Sequence, residues 1–126
     1  MNKIRLDHES PECIASWGWK FHHIGIPTKE RKENERSLPL YKTYVSGFET
    51  SPFGIEWMRF EEDSEVQELI QKIPHIAFEV EDIDWEIKNR GLNVISPPAA
   101  SADGIRDAMV EYNGALIQLF EFDMNK

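Results

Sequence analysis

The sequence predicts an α+β fold made of two repeats, and three observations predict it. Alternation across Pro74 to Val80 places Ile76, Phe78 and Val80 on one face of a strand and His75, Ala77 and Glu79 on the other. The stretch His23-Ile24-Gly25-Ile26 repeats the pattern of His75-Ile76-Ala77-Phe78 at an interval of 52 residues. Further on, Ile55-Glu56-Trp57-Met58-Arg59-Phe60 and Ile117-Gln118-Leu119-Phe120-Glu121-Phe122 match each other, each with a polar residue after its isoleucine. Each half therefore opens on a histidine strand and ends on a glutamate or glutamine strand, which is the mark of an internal repeat.

Taken in order, residues 1–18 show no periodicity and read as an extension whose end, with Trp17 and Trp19, packs on something. A single domain then covers 19–126, as repeats of about 19–63 and 64–126. The first strand spans Trp19 to Pro27. The charged run Thr28 to Arg36 supports at best a solvated helical turn, and Pro39 limits it. Tyr41 to Val45 is rich in β-branched and aromatic residues and reads as a strand, followed after Gly47, Pro52 and Gly54 by a strand at Ile55 to Phe60. This first half is compressed. Ser64 to Lys72 predicts a helix capped by Ser64, with Val66, Leu69, Ile70 and Ile73 at helical spacing. After the His75 strand, Asp82 or Asp84 caps a helix through Arg90 that Gly91 closes. Leu92 to Ile95 predicts a short strand stopped by Pro97 and Pro98, and 99–104 an exposed loop. Ile105 to Tyr112 and Ala115 to Phe122 form a hairpin about Asn113-Gly114.

Composition narrows the function classes. Twenty-three acidic against 14 basic side chains give a net charge of −9, which opposes nucleic-acid backbones and anionic membranes. No apolar run approaches the ~20 residues of a membrane span. The lone Cys13 forms no internal disulfide and the N-terminus lacks a signal-peptide core, so a cytoplasmic location is expected. A small molecule is the expected partner.

The front faces carry the chemistry. His23, Glu56, His75 and Gln118 occupy equivalent repeat positions, and packing about a pseudo-twofold axis would turn all four toward one cleft. Imidazole nitrogens with carboxylate or amide oxygens suit a divalent metal ion, Zn, Ni, Co, Fe or Mn. His22 shares parity with Ile24 and Ile26 and reads as structural or exposed. Met58, Phe60, Phe120 and Phe122 fall on the front face, where they either wall an apolar pocket or form ordinary core.

The segments "HHIGIPT", "PHIAFEVEDID" and "GALIQLFEF" resemble the vicinal oxygen chelate superfamily, which includes glyoxalase I, methylmalonyl-CoA epimerase, extradiol dioxygenases and the fosfomycin and bleomycin resistance proteins. The resemblance implies paired βαβββ modules curled into an incomplete mixed-sheet barrel, here with a shortened first module. It also implies a divalent metal held by His23, Glu56, His75 and Gln118, and a homodimer. The epimerase and glyoxalase branch is closest, which implies a metal-dependent lyase or isomerase that removes a proton next to a carbonyl. Gln118 departs from the glutamate usual at the last position. An amide can ligate a metal but cannot act as a base, so proton transfer falls to Glu56, or to a front-face carboxylate such as Glu79. The alternative is a binding protein of the same fold that sequesters a small molecule without turnover.

Overall fold

The computed structural model describes residues 4–123. Residues 1–3 of the expected extension and 124–126 of the expected second repeat lie outside them. Eight strands form one curled mixed sheet in the order β2-β3-β4-β1-β5-β8-β7-β6. The first half supplies β1 (Lys20–Pro27), β2 (Arg36–Leu38), β3 (Thr43–Ser46) and β4 (Ile55–Phe60). The second supplies β5 (His75–Glu79), β6 (Asn93–Ala102), β7 (Ile105–Tyr112) and β8 (Ala115–Phe122). Helix α1 (Glu12–Ala15) precedes β1, α2 (Glu68–Lys72) precedes β5, and α3 (Ile83–Arg90) links β5 to β6. The fold is α+β, an open sheet curled toward a barrel.

The halves correspond strand for strand. β1 lies parallel to β4 and β5 parallel to β8, while β1 and β5 join antiparallel at the centre. At that seam His23 pairs with Ala77 and Gly25 with His75. Each histidine therefore faces a small residue of the other half. The need is sharpest at Gly25, where a Cβ would stand 2.1 Å from His75 Cε1.

Only the second half has a crossover helix. Asp82 caps α3 by accepting from the Trp85 amide at 3.0 Å, and Gly91 ends it with φ of 62°. Behind α3 lies the main core of Val80, Ile83, Ala108, Val110 and Leu119. Trp19, just before β1, completes this core, and Cys13 and Trp17 of the extension pack against it. The position of the extension is pinned by Trp19 Nε1, which donates to Glu86 at 3.0 Å, and by Arg90, which bonds Glu86 and lies 4.0 Å from the Trp17 ring centre. In the first half the charged segment after β1 forms no helix and lies instead against outward-facing side chains. Glu35 takes two bonds from Arg59, at 2.8 and 2.7 Å, Arg59 lies over Tyr44, and Lys32 lies over Trp57.

Four local expectations give way to tertiary structure. Residues 36–38, of which Arg36 was read as the end of the charged run, form edge strand β2 against β3, and residues 39–41 form a single 3-10 turn. The linker helix is shorter than expected: it starts only at Glu68, while the Ser64 hydroxyl donates to Tyr41 O at 2.7 Å and accepts from the Val66 amide at 3.4 Å in a local turn. Gln67 reaches Ile95 O at 2.7 Å, so the linker laces the two ends of the sheet together. Strand β6 continues through Pro97 and Pro98 to Ala102, since it is an edge strand whose register shifts between Ser96 and Ala99. The Asn113-Gly114 hairpin forms as read, with φ of 48° and 86°.

Candidate functional site in the curl of the sheet

The curl encloses a cavity of about 650 Å³, within the range of small-molecule sites. His23, Glu56, His75 and Gln118 all line it, drawn from β1, β4, β5 and β8. Met58, Phe60 and Phe120 line it too. Phe122 stands behind, stacked on Phe120 at 5.8 Å, and Glu79 lies opposite Lys20 near the strand end; neither belongs to the lining.

One reading from parity is corrected. His22 turns into the cavity beside His23, because β1 carries a bulge: Phe21 pairs with Phe78 and His23 with Ala77, leaving His22 as the extra residue. Its ring stacks against Phe48 at 5.0 Å and lies 4.8 Å from Phe120. His22 Nδ1 and His23 Nδ1 stand 2.7 Å apart, a separation that requires one to carry a proton and the other a lone pair. On its other side His23 Nε2 lies 3.4 Å from Glu56 Oε1. The result is a chain of three polar groups leading into the cavity.

Burial sets the electrostatics. It pushes His23 down to about 3, with His75 and His22 adding to the effect, and His75 down to about 4, so both rings are neutral near pH 7. It pushes Glu56 up to about 7 against the pull of Arg36. Asp107, a lining residue that the sequence did not single out, is also raised by burial, against a bond from Gln118 Nε2 at 2.8 Å. His75 is 2% exposed, and neither of its ring nitrogens is in hydrogen-bond geometry with a described residue, although the Gln118 side chain lies near enough to oppose the downward push of burial. A buried polar group left in that state costs about 1–3 kcal/mol, so a ligand atom is the natural partner.

The donor types fit a divalent cation: two neutral imidazoles, one of them orphaned over the space Gly25 leaves open, and a carboxylate. His23, Glu56 and His75 are the residues that would hold it. In this structure no group of three or more His, Cys, Asp or Glu among the described residues is gathered tightly enough to be a metal centre, and the Gln118 amide is turned to Asp107.

Of the residues missed, Asp107 had a signal, since the Asn113-Gly114 turn fixes the register that puts it opposite Phe120. His22 and Arg36 had none, because a bulge and a three-residue edge strand leave no period to read.

No family model matches the chain, and no curated protein does. Among solved structures, a hypothetical protein from Bacillus halodurans C-125 is 22% identical with a TM-score of 0.63, over 82% of this chain and 94% of that one. Methylmalonyl-CoA epimerase from Mycobacterium tuberculosis is 17% identical with a TM-score of 0.55, over 81% of this chain and 87% of that one. The likeness is one of fold. It places the curled sheet beside that of an epimerase, one of the enzymes whose superfamily the motifs resemble.

Proposed function

We propose that the protein is a lyase or isomerase that takes a proton from the carbon next to a carbonyl, with Glu56 as the base and a divalent cation held by His23, Glu56 and His75. The observation that carries this reading is a half-buried carboxyl held at about 7 in a cavity whose neighbouring buried imidazole has no nitrogen in hydrogen-bond geometry with a described residue. In the metal-free cavity Glu56 is thus poised between its two protonation states, and a bound cation would favour the ionised form that accepts a proton. When bound, the cation would supply positive charge at the carbonyl oxygen and make the adjacent C–H more acidic. Glu56 receives that proton at a carboxylate oxygen. His22 fixes the proton on the His23 ring through the Nδ1 contact and thereby the face His23 shows to the cavity. Asp107 belongs to the other half of the sheet, so it can return a proton from a different side, as an epimerisation requires.

The test is elemental analysis of protein purified without an affinity tag, together with the His75→Ala variant. One divalent cation per chain, absent from the variant, supports the reading. Deuterium uptake next to the carbonyl of hemithioacetal or branched acyl-thioester substrates would then define the reaction. Undiminished turnover in metal-free protein would overturn the metal's part.

The Asp107–Gln118 bond favours a second reading, a cleft that binds without turnover, because Gln118 Nε2 donates to Asp107 and the amide serves the lining of the cavity. Tight ligand binding with no product and no metal dependence would decide for it.

A further inference from the structure

The cavity carries a charge pattern that points to the class of its ligand. Among the residues lining it, Arg36 is the only lysine or arginine. Arg36 on β2 is in register with Val45 on β3, and Val45 with Met58 on β4. All three line the cavity, so they form one row across its wall, two residues along β4 from Glu56. Arg36 makes no ion pair with any described residue. Its charge is nonetheless felt at Glu56, where it opposes the upward push of burial.

Around this cation the wall is apolar, with Leu38, Val45, Met58, Phe60 and Ile70. A second observation points to an occupant: His75, almost wholly buried, presents ring nitrogens that are in hydrogen-bond geometry with no described residue. A guanidinium matches a carboxylate by its fork of donors, and an apolar wall beside it matches a hydrocarbon body. The volume suits a ligand of drug-like size rather than a two- or three-carbon fragment.

We propose that the cavity takes an organic carboxylate with an apolar body, its carboxylate on Arg36 and its reacting end toward His75. The inference rests on the reading of this cavity as the reactive site and names the substrate class for it. At long range the net charge of −9 disfavours anions, so the unpaired cation fixes which end of such a molecule stays at β2.

Calorimetric titration of the full chain with octanoate, octan-1-ol and octylamine keeps one tail and changes the head. Octanoate is expected to bind about tenfold tighter than octan-1-ol, the difference a charge-assisted hydrogen bond supplies. Arg36→Gln should remove that preference and leave octan-1-ol unchanged, while Arg36→Lys should keep part of it. Arg36 is exposed and unpaired, so these variants should fold, and an unchanged thermal midpoint checks that they do. Equal octanoate affinity in wild type and Arg36→Gln, tighter binding of octylamine, or no binding of any of the three would overturn the assignment. The titrations are run in chelator, so they do not depend on metal or turnover. Octanoate preference through Arg36, together with no divalent cation in the elemental analysis of untreated protein, would fail the catalytic reading and keep this one.

Discussion

The seam between the halves turns on the pairs Gly25–His75 and His23–Ala77, where each ring needs the other strand to carry little or no side chain. Gly25→Ala puts a methyl 2.1 Å from His75 Cε1, so the ring must leave its place. Overpacking of this kind costs about 1–3 kcal/mol, to be read as a lower urea midpoint, with a parallel loss of any metal bound through His75. The pH dependence follows from the same cluster. His23 and His75 are held at about 3 and 4, below the ordinary 6.5, so their contribution is complete above 6.5 and lost as pH falls toward 4. Glu56 is held at about 7, above the ordinary 4.5, so its contribution is complete below 4.5 and lost as pH rises through 7. The two oppose each other in between. Glu56→Gln removes the opposing gain, roughly 3 kcal/mol on the linkage scale, and stability measured by urea unfolding should fall more steeply from pH 7 to 4.5 than in wild type. The paired histidine strands showed His23 and His75 to simple alternation, whereas His22 was hidden by one inserted residue in β1.

At the scale of elements, local chemistry was legible where it was self-contained. Asp82 and Gly91 bound α3 as their side chain and backbone dictate, and Asn113-Gly114 makes its turn. Gly114 has φ of 86°, and a Cβ there would meet nothing within 4 Å, so Gly114→Ala carries a backbone cost alone. A loss of about 1 kcal/mol in thermal unfolding is expected, with ligand binding unchanged. Asp82→Ala should cost a similar amount, about 1 kcal/mol, through the uncapped Trp85 amide. Where a distant partner competed, local signals failed. Ser64 offered a good cap, but it holds a local turn with Val66 and reaches Tyr41, and the helix starts only at Glu68; Pro97 and Pro98 should have stopped β6, but an edge strand tolerates them.

Across the whole molecule the open side of the curl is spanned by the linker, with Ser64 bonded to the turn after β2 and Gln67 to β6. Removing both bonds in a Ser64→Ala, Gln67→Ala double variant should free the two sheet ends from each other. Amide exchange at 36–41 and 93–97 is expected to quicken by about tenfold, on the scale of one hydrogen bond's net worth, while α3 keeps its protection. Unchanged exchange at both ends would show that the strands hold the mouth without the linker. The two-half α+β organisation was legible from the repeat, since duplicated strand patterns constrain the topology far more than any single segment does, whereas the curl of the sheet came from the family resemblance. The lacing was not, because it joins residues whose separation no periodicity encodes.

The seam also limits how alike the halves can ever become. A chain built from two copies of the second half would place alanine where Gly25 now stands, and the added methyl would evict the facing imidazole. Two copies of the first half would seat both rings over glycine but leave neither main core nor crossover helix behind them. The present sequence works as a hybrid, in which one half supplies the open seat and the other the scaffold, so a tandem chain engineered from the second half alone would need glycine grafted at this one position before it could hold both histidines.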